Sequence, residues 1–356
     1  MTFERPNIEV MKGYMPGEQP RGNNIVKLNT NENPYPPGPK VAHCLSQIGV
    51  DSLRRYPPPL ANDFRLAAAQ LHQVTPENII PTNGGDEFLR LVMTTFVGAG
   101  ETIAVTKPSY SLYPVLAEIQ DSKLVEIALE DDWSMPKNFA KRLNQLNAKL
   151  AIIVNPHAPT GSLLDCHYLA EVAHEFKGIL LVDEAYVDFI EPELGYDSIV
   201  LINQFPNILF LRSMSKGYSL AGLRFGYGIG PEQLINPMMY KTRDSYNTDF
   251  IAQKLATAAI LDKAYAQDTW DKVRASRKIL AISLSQLGLP SPPSQANFLL
   301  CDIPETPGAL ALYKSLKAEN ILVRYFDQDR LRNKLRISIG NDAENQRLVS
   351  AIEQVL

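Results

Sequence analysis

The sequence predicts an α/β protein: a largely parallel sheet with helices on both faces, followed by a smaller α+β domain. Three observations carry this. Between residues 60 and 212, short uninterrupted apolar segments alternate with helical patterns of 10–15 residues. After about residue 230 the order becomes helix, helix, strand, helix, strand, strand, helix. The length, 356 residues, suits about two domains at ~150 residues each.

Taken in order, residues 1–37 are irregular and rich in Pro, Gly and Asn, an N-terminal arm that must lie on something. Residues 60–73 (LANDFRLAAAQLHQ) read as a helix and Asn78–Pro81 as a short extended piece. Helix 84–97 leads to strand 102–106, helix 110–120 to strand 123–129, and helix 136–147 to strand 149–154 (KLAIIV). Helix 163–176 leads to strand 179–182 (ILLV), and strand 207–212 follows. Strands apolar at every position are buried on both faces, as a helix-covered parallel sheet requires. Helices 250–262 and 264–287 come next, the longer one able to bridge two domains. Strand 297–301, helix 308–319, strands 321–325 and 334–339 and helix 342–355 complete the chain. The expected division is an arm (1–37), a large domain (38–262) and a small C-terminal domain (263–356).

Composition excludes several classes. The formal net charge is −4, so the basic surface of a nucleic-acid binder is missing. Cys44, Cys166 and Cys301 are too few and too far apart for a disulfide framework or a Cys-based zinc site. The first ten residues carry charges and a proline rather than an apolar signal core. No run reaches the ~18 apolar residues of a membrane span. A cytoplasmic protein with no metal site is expected. Gly226-Tyr-Gly-Ile-Gly230 is not the G-x-G-x-x-G fingerprint, and there is no Walker A, G-x-S-x-G or H-E-x-x-H sequence. His167 and His174 share a helix face and read as a surface or half-buried pair.

Four segments follow predicted strands, where open α/β sheets bind ligands. Thr82-Asn-Gly-Gly-Asp-Glu87 opens a helix, and paired glycines there leave backbone N–H groups bare for a phosphate. An ordinary capped helix start is the plainer alternative. Asn155-Pro-His-Ala-Pro-Thr-Gly161 is a rigid loop that fixes Asn155 at a strand end, or simply a rigid turn. Asp183, in Ile179-Leu-Leu-Val-Asp-Glu-Ala-Tyr186, is a carboxylate at the rim of a core, where it needs a partner or caps a turn. Lys216, in Ser213-Met-Ser-Lys216, is a lysine flanked by hydroxyls, with Arg224 close behind. Lysine forms Schiff bases and arginine makes a phosphate fork; a solvated surface lysine is the alternative. Taken together, a phosphate cradle, an Asp, an Asn, a Tyr and a Lys are what a protein needs to hold pyridoxal 5′-phosphate.

On these residues the chain resembles the fold-type I pyridoxal-phosphate aminotransferases and, within them, the histidinol-phosphate aminotransferase family. The marks are Leu28-Asn-Thr-Asn-Glu-Asn-Pro34, Arg55-Tyr-Pro57, Gly84-Gly-Asp-Glu87, Pro108-Ser-Tyr110, Asp183-Glu-Ala-Tyr186, Ser213-Met-Ser-Lys216, Leu220-Ala-Gly-Leu-Arg224 and Arg336-Ile-Ser-Ile-Gly340. They run in the family's order from Leu28 to Gly340. The resemblance implies a seven-stranded, mostly parallel sheet. It implies that Lys216 is the attachment point and proton shuttle, that Asp183 pairs the ring nitrogen, that Tyr186 and Asn155 hold the ring oxygen, and that Tyr110 stacks on the ring. Gly84, Gly85, Asp86, Ser213, Ser215 and Arg224 are implied to hold the phosphate. Tyr14, Asn33, Arg324 and Arg336 are implied to bind substrate, with Tyr56 reaching in from the partner of a homodimer. The implied reaction passes an amino group from a donor to a 2-oxo acid by ping-pong chemistry. Histidinol phosphate with 2-oxoglutarate, in histidine biosynthesis, is the expected pair. Aromatic or dicarboxylic amino acids, or decarboxylation of threonine phosphate, are the alternatives within the family. A cofactor-binding sensor without turnover is the alternative outside it, and it would need an appended domain. One departure stands out: His157 and Ala158 replace the two asparagines that brace this loop in relatives, which leaves the loop's bracing open.

Overall fold

The computed structural model describes residues 2–15, 17–19, 22 and 24–356. The strands in chain order are β1 (Val26–Lys27), β2 (Ile79–Thr82), β3 (Thr102–Lys107), β4 (Lys123–Ala128), β5 (Ala148–Val154) and β6 (Ile179–Asp183). They continue with β7 (Ile208–Ser213), β8 (Gly226–Ile229), β9 (Phe298–Asp302), β10 (Ile321–Leu322), β11 (Arg324–Tyr325) and β12 (Lys334–Ser338). Seven of them form one sheet in the order β2-β8-β7-β6-β5-β3-β4. Only β8 runs against its neighbours; the β7-β6-β5-β3-β4 block is parallel.

Both faces of the sheet are apolar for the reason the sequence gives. Along β5, Leu150, Ile152 and Val154 join the core under one helical layer, and Ala151 and Ile153 join the core under the other. Register brings the strand ends level: Val154 pairs Asp183, and Asp183 pairs Leu211. The polar residues that follow β5, β6 and β7 therefore emerge at one edge.

The sequence reading missed β8, because its glycines look like a loop. They are a packing device. A Cβ on Gly228 would overlap the Phe88 ring, and one on Gly226 would lie 2.9 Å from the Gly84 carbonyl carbon and the Gly85 nitrogen. The bare face of β8 lets the Gly84–Phe96 helix sit directly on strand backbone, with its N-terminus held beside Arg212 and Ser213.

The second sheet is antiparallel, in the order β11-β12-β9. The expected strand 321–325 divides at Val323. Its first half pairs in parallel with β1 of the N-terminal arm, and its second half pairs with β12. The arm is thus an extra strand: Leu28 N–H donates to Leu322 O at 2.8 Å, and Ser338 N–H donates to Leu28 O at 3.0 Å. Farther out, Asn7 and Arg5 donate to the carbonyls that end the Leu112–Gln120 helix. Among the described residues no helix is long and apolar enough to cross a membrane.

Candidate active site

The level ends of β5, β6 and β7, the first turn of the Gly84–Phe96 helix, the arm and the β11–β12 edge enclose a cavity of about 530 Å3. Lys216, Asp183 and Tyr186 all line it. So do Gly85, Asp86, Tyr110, Ser213, Ser215 and Arg224, and on the far side Tyr14, Arg324 and Arg336. A second cavity, of about 610 Å3, lies between Trp133, Cys166, Tyr196 and Pro292–Pro293, and no lysine or arginine lines it.

Lys216 sits three residues beyond β7 and is half-buried. Its Nζ donates to the Thr30 carbonyl of the arm at 2.6 Å. Removal from water, opposed by the nearby Glu32 carboxylate and reinforced by Arg336, lowers its pKa to about 8. An amine whose pKa is drawn toward neutrality is what a nucleophile and proton carrier needs.

Asp183 is 5% exposed. Its Oδ2 accepts from Tyr113 Oη at 2.7 Å, and its Oδ1 accepts from the Ala185 N–H at 3.1 Å. Burial wins over both bonds and pushes its pKa up to about 6. No cation pairs with it among the described residues, so the carboxylate is held ready for one from a ligand.

The anion end is built from the helix terminus. The first-turn N–H groups of Gly85 and Asp86 have no helical acceptors. Arg224 closes over them, 3.4 Å from Asp86 Oδ2 and 3.5 Å from Ser215 Oγ. Gly84 is required here twice: its φ is +77°, and a Cβ would come within 2.7 Å of the Arg224 guanidinium. Ser213 Oγ accepts from the Ser215 N–H at 3.1 Å, which shapes the turn ahead of Lys216.

Arg324 and Arg336 pair across β11 and β12 and face the same cavity. Like charges directly opposite repel, and neither has a carboxylate partner among the described residues. Both guanidiniums lie over the Phe326 ring, at 5.4 and 5.5 Å. The Arg336 Nε is buried without a partner. Two unpaired cations and an orphaned donor define an anion site.

Other predicted residues stand differently. Tyr110 makes edge contacts with Tyr14 and Tyr113 at the cavity wall, with ring centroids 5.9 and 5.6 Å away. Asn33 supports the turn after Lys216, donating to Gly217 O at 3.3 Å. Tyr56 is 81% exposed and stacks on Tyr246, outside its own chain's cavity. Asn155 follows β5 but is not among the residues lining the cavity. Its Nδ2 donates to Leu164 O and Tyr196 Oη, and its Oδ1 accepts from the Leu164 N–H.

His157 answers the question left by the departure in that loop. It is buried, with Nε2 donating to Pro108 O at 2.9 Å and Nδ1 accepting from Thr160 Oγ1 at 2.8 Å. Burial lowers its pKa to about 4, so the ring stays neutral and braces the loop.

Sequence reasoning missed Tyr113, which reads as a core aromatic in an apolar helix. It also gave no role to Thr30, Asn31 and Glu32, although they lie inside a quoted motif.

A lysine, a cation-seeking buried acid and an anion cradle at opposite sides of one cavity fit pyridoxal phosphate. The fold and this site define an aminotransferase of that type. The family model described as aminotransferase class I and II matches residues 23–352. The chain belongs to this family. It is 42% identical to histidinol-phosphate aminotransferase 1 of a Nostoc species, over all of this chain and 98% of that one. It is 40% identical to the histidinol-phosphate aminotransferase of Microcystis aeruginosa, over all of this chain and 99% of that one. The crystal structure of histidinol-phosphate aminotransferase from Sinorhizobium meliloti, in complex with pyridoxal-5′-phosphate, superposes with a TM-score of 0.91 at 25% identity, covering 100% of this chain and 98% of that one.

Proposed function

We propose that the protein is a histidinol-phosphate aminotransferase, passing the amino group of histidinol phosphate to 2-oxoglutarate in histidine biosynthesis. The observation that carries the substrate is the pair Arg324 and Arg336, unpaired and in register on the cavity wall. A phosphate monoester and a dicarboxylate both satisfy that pair, so one site serves donor and acceptor in turn.

Bound pyridoxal phosphate supplies an electron-withdrawing ring that acidifies the substrate's α-carbon. The chain's residues do the rest. Gly85, Asp86, Ser213, Ser215 and Arg224 would hold its phosphate, and Asp183 its ring-nitrogen proton. Tyr186 would donate to the ring oxygen, and Tyr110 would cover one ring face. Lys216 would be the point of attachment and, once freed, would carry the proton at the α-carbon; a pKa near 8 suits both duties. Asn155 would act from behind, bracing the loop rather than touching the ring. The large domain (38–262) would hold the cofactor and the small domain (263–356) the substrate arginines.

We further propose a cytoplasmic homodimer. Val50, Leu53 and Tyr56 are exposed and close in sequence, and the exposed Tyr246 stacks on Tyr56. A second copy seated there would bring Tyr56 to the neighbouring site.

A donor screen tests the substrate. Histidinol phosphate should exceed phenylalanine, aspartate and glutamate in kcat/KM with 2-oxoglutarate as acceptor. Preference for an unphosphorylated aromatic donor, or carbon dioxide release from threonine phosphate, would reject it.

A further inference from the structure

We propose that Asn31 is a positioning residue that makes Tyr186 a one-way hydrogen-bond donor to the cofactor's ring oxygen. This rests on the function proposed above. A phenol has one proton to give and can also accept. If Tyr186 were free to donate elsewhere, its proton would not always point into the cavity. Asn31 removes that freedom. Its Nδ2 donates to Tyr186 Oη at 3.1 Å, so the hydroxyl accepts from behind and its own proton is left to face the cavity.

Asn31 itself has no freedom to turn. It is 1% exposed. Its Oδ1 accepts from Ser338 Oγ at 2.9 Å, and in this arrangement the amide nitrogen faces Tyr186. Its backbone N–H donates to Ser338 Oγ, and its carbonyl accepts from Asn297 Nδ2, both at 2.9 Å. Its φ is 57°, a left-handed conformation that asparagine tolerates better than most residues. Every polar group is thus used, and a strained backbone is kept at the site. Ser338 and Asn297 belong to the β12 and β9 side of the cleft, and Phe298 packs edge-on against the Tyr186 ring, 5.0 Å between centroids. Asn31 therefore ties the direction of the Tyr186 hydroxyl to the position of the small sheet.

The other groups around Tyr186 do not supply this function. Arg336 on β12 and Asp183 on β6 act on it through charge, and Tyr14, Tyr110 and Tyr113 are further titratable neighbours. Asn31 is the one hydrogen-bond partner of the Tyr186 hydroxyl among the described residues.

The test is a pH titration of the visible absorption of the cofactor-loaded protein, with Asn31→Gly and Asn31→Asp. Glycine keeps the left-handed backbone and removes the donor. Aspartate keeps the shape and turns the donor into an acceptor that draws the Tyr186 proton away. A donor to the ring oxygen stabilises its negative charge and eases loss of the neighbouring proton. Both variants should therefore move the titration up by about half a pH unit or more, in the direction of Tyr186→Phe. Asn31→Gly added to Tyr186→Phe should move it no further. A titration unchanged in Asn31→Gly and Asn31→Asp, while Tyr186→Phe shifts it, would overturn the inference. Lower thermal stability without a spectral shift would mark a merely structural role and overturn it equally. A protein that takes up no pyridoxal phosphate would instead reject the proposed function.

Discussion

Replacing Asp183 by asparagine should make the cofactor-free protein more stable and the loaded protein nearly inactive. Burial raises the Asp183 pKa from the ordinary 3.8 to about 6. A raised acid penalises the folded state once the unfolded chain can ionise. Below pH 3.8 the group is protonated in both states and contributes nothing. Stability is then lost as pH rises toward 6, by up to about 3 kcal/mol for a shift of some two units. Asparagine removes this penalty and keeps the bonds: its oxygen accepts from the Ala185 N–H, and its amide donates to a reoriented Tyr113 hydroxyl. The loaded protein loses instead. An ion pair at ~4 Å and an effective dielectric of 20 attracts by about 4 kcal/mol gross, or about three pKa units before desolvation, so turnover should fall about a hundredfold or more. The assay is thermal unfolding of wild-type and Asp183→Asn apoprotein from pH 4 to 8, beside turnover of both. The stability gap should open between pH 4 and 6 and stay open above. An apoprotein destabilised at every pH, or a gap independent of pH, would refute the reasoning.

Four further outcomes follow from the geometry. Arg336→Gln and Arg324→Gln should each raise KM for a phosphorylated donor about 10- to 100-fold, the worth of a charge-assisted bond, with a smaller change in kcat; equal KM values would remove the anion site. Gly228→Val should lower thermal stability by about 1–3 kcal/mol and weaken cofactor binding, because it displaces Phe88 and the cradle helix, whereas Gly222→Ala, with open space around it, should do neither. His157→Ala should destabilise the protein at pH 7.5, and the gap should shrink as pH falls from 6.5 toward 4. In that window the buried neutral ring of the wild type, whose pKa is lowered to about 4, becomes a liability; a pH-independent gap would mean the ring is not held neutral. Lys216→Ala and Tyr56→Phe subunits, each impaired alone, should recover one intact site per dimer when mixed, and no recovery despite confirmed subunit exchange would place Tyr56 outside the partner's site.

Much of the fold was legible because its strands are apolar on both faces and its helices are not. β5, with Leu150 to Val154 serving two cores, declares itself in a run of five apolar letters. β8 did not, because its alternation is of glycine with larger residues, and that pattern carries helix–strand packing rather than propensity. The split at Val323 was hidden for another reason: β10 is only a strand in the presence of β1, some 300 residues earlier. At the site, Lys216, Asp183 and Arg224 were readable because charged groups at the ends of apolar strands need a purpose. The bonds of the Asn155 amide to Leu164 and Tyr196 were not readable, since partners 9 and 41 residues away leave no local pattern. Tyr113 and Asn31 act through partners 70 and 155 residues away, and no local pattern reports that. The prolines fall between these cases. Nine of the 26 lie in or beside the segments that the resemblance assigns to the site, and three of them, Pro108, Pro156 and Pro159, stiffen the loops after β3 and β5.

The central claim is that Lys216, Asp183 and the two arginines form one site that exchanges an amino group between a phosphorylated amine and a dicarboxylic oxo acid. It is tested most directly by the visible spectrum of the loaded protein through two half-reactions. Histidinol phosphate alone should bleach the yellow absorption, and 2-oxoglutarate added after removal of the first product should restore it with release of glutamate. A yellow protein that neither compound changes, or one bleached by glutamate but not by histidinol phosphate, would contradict the account.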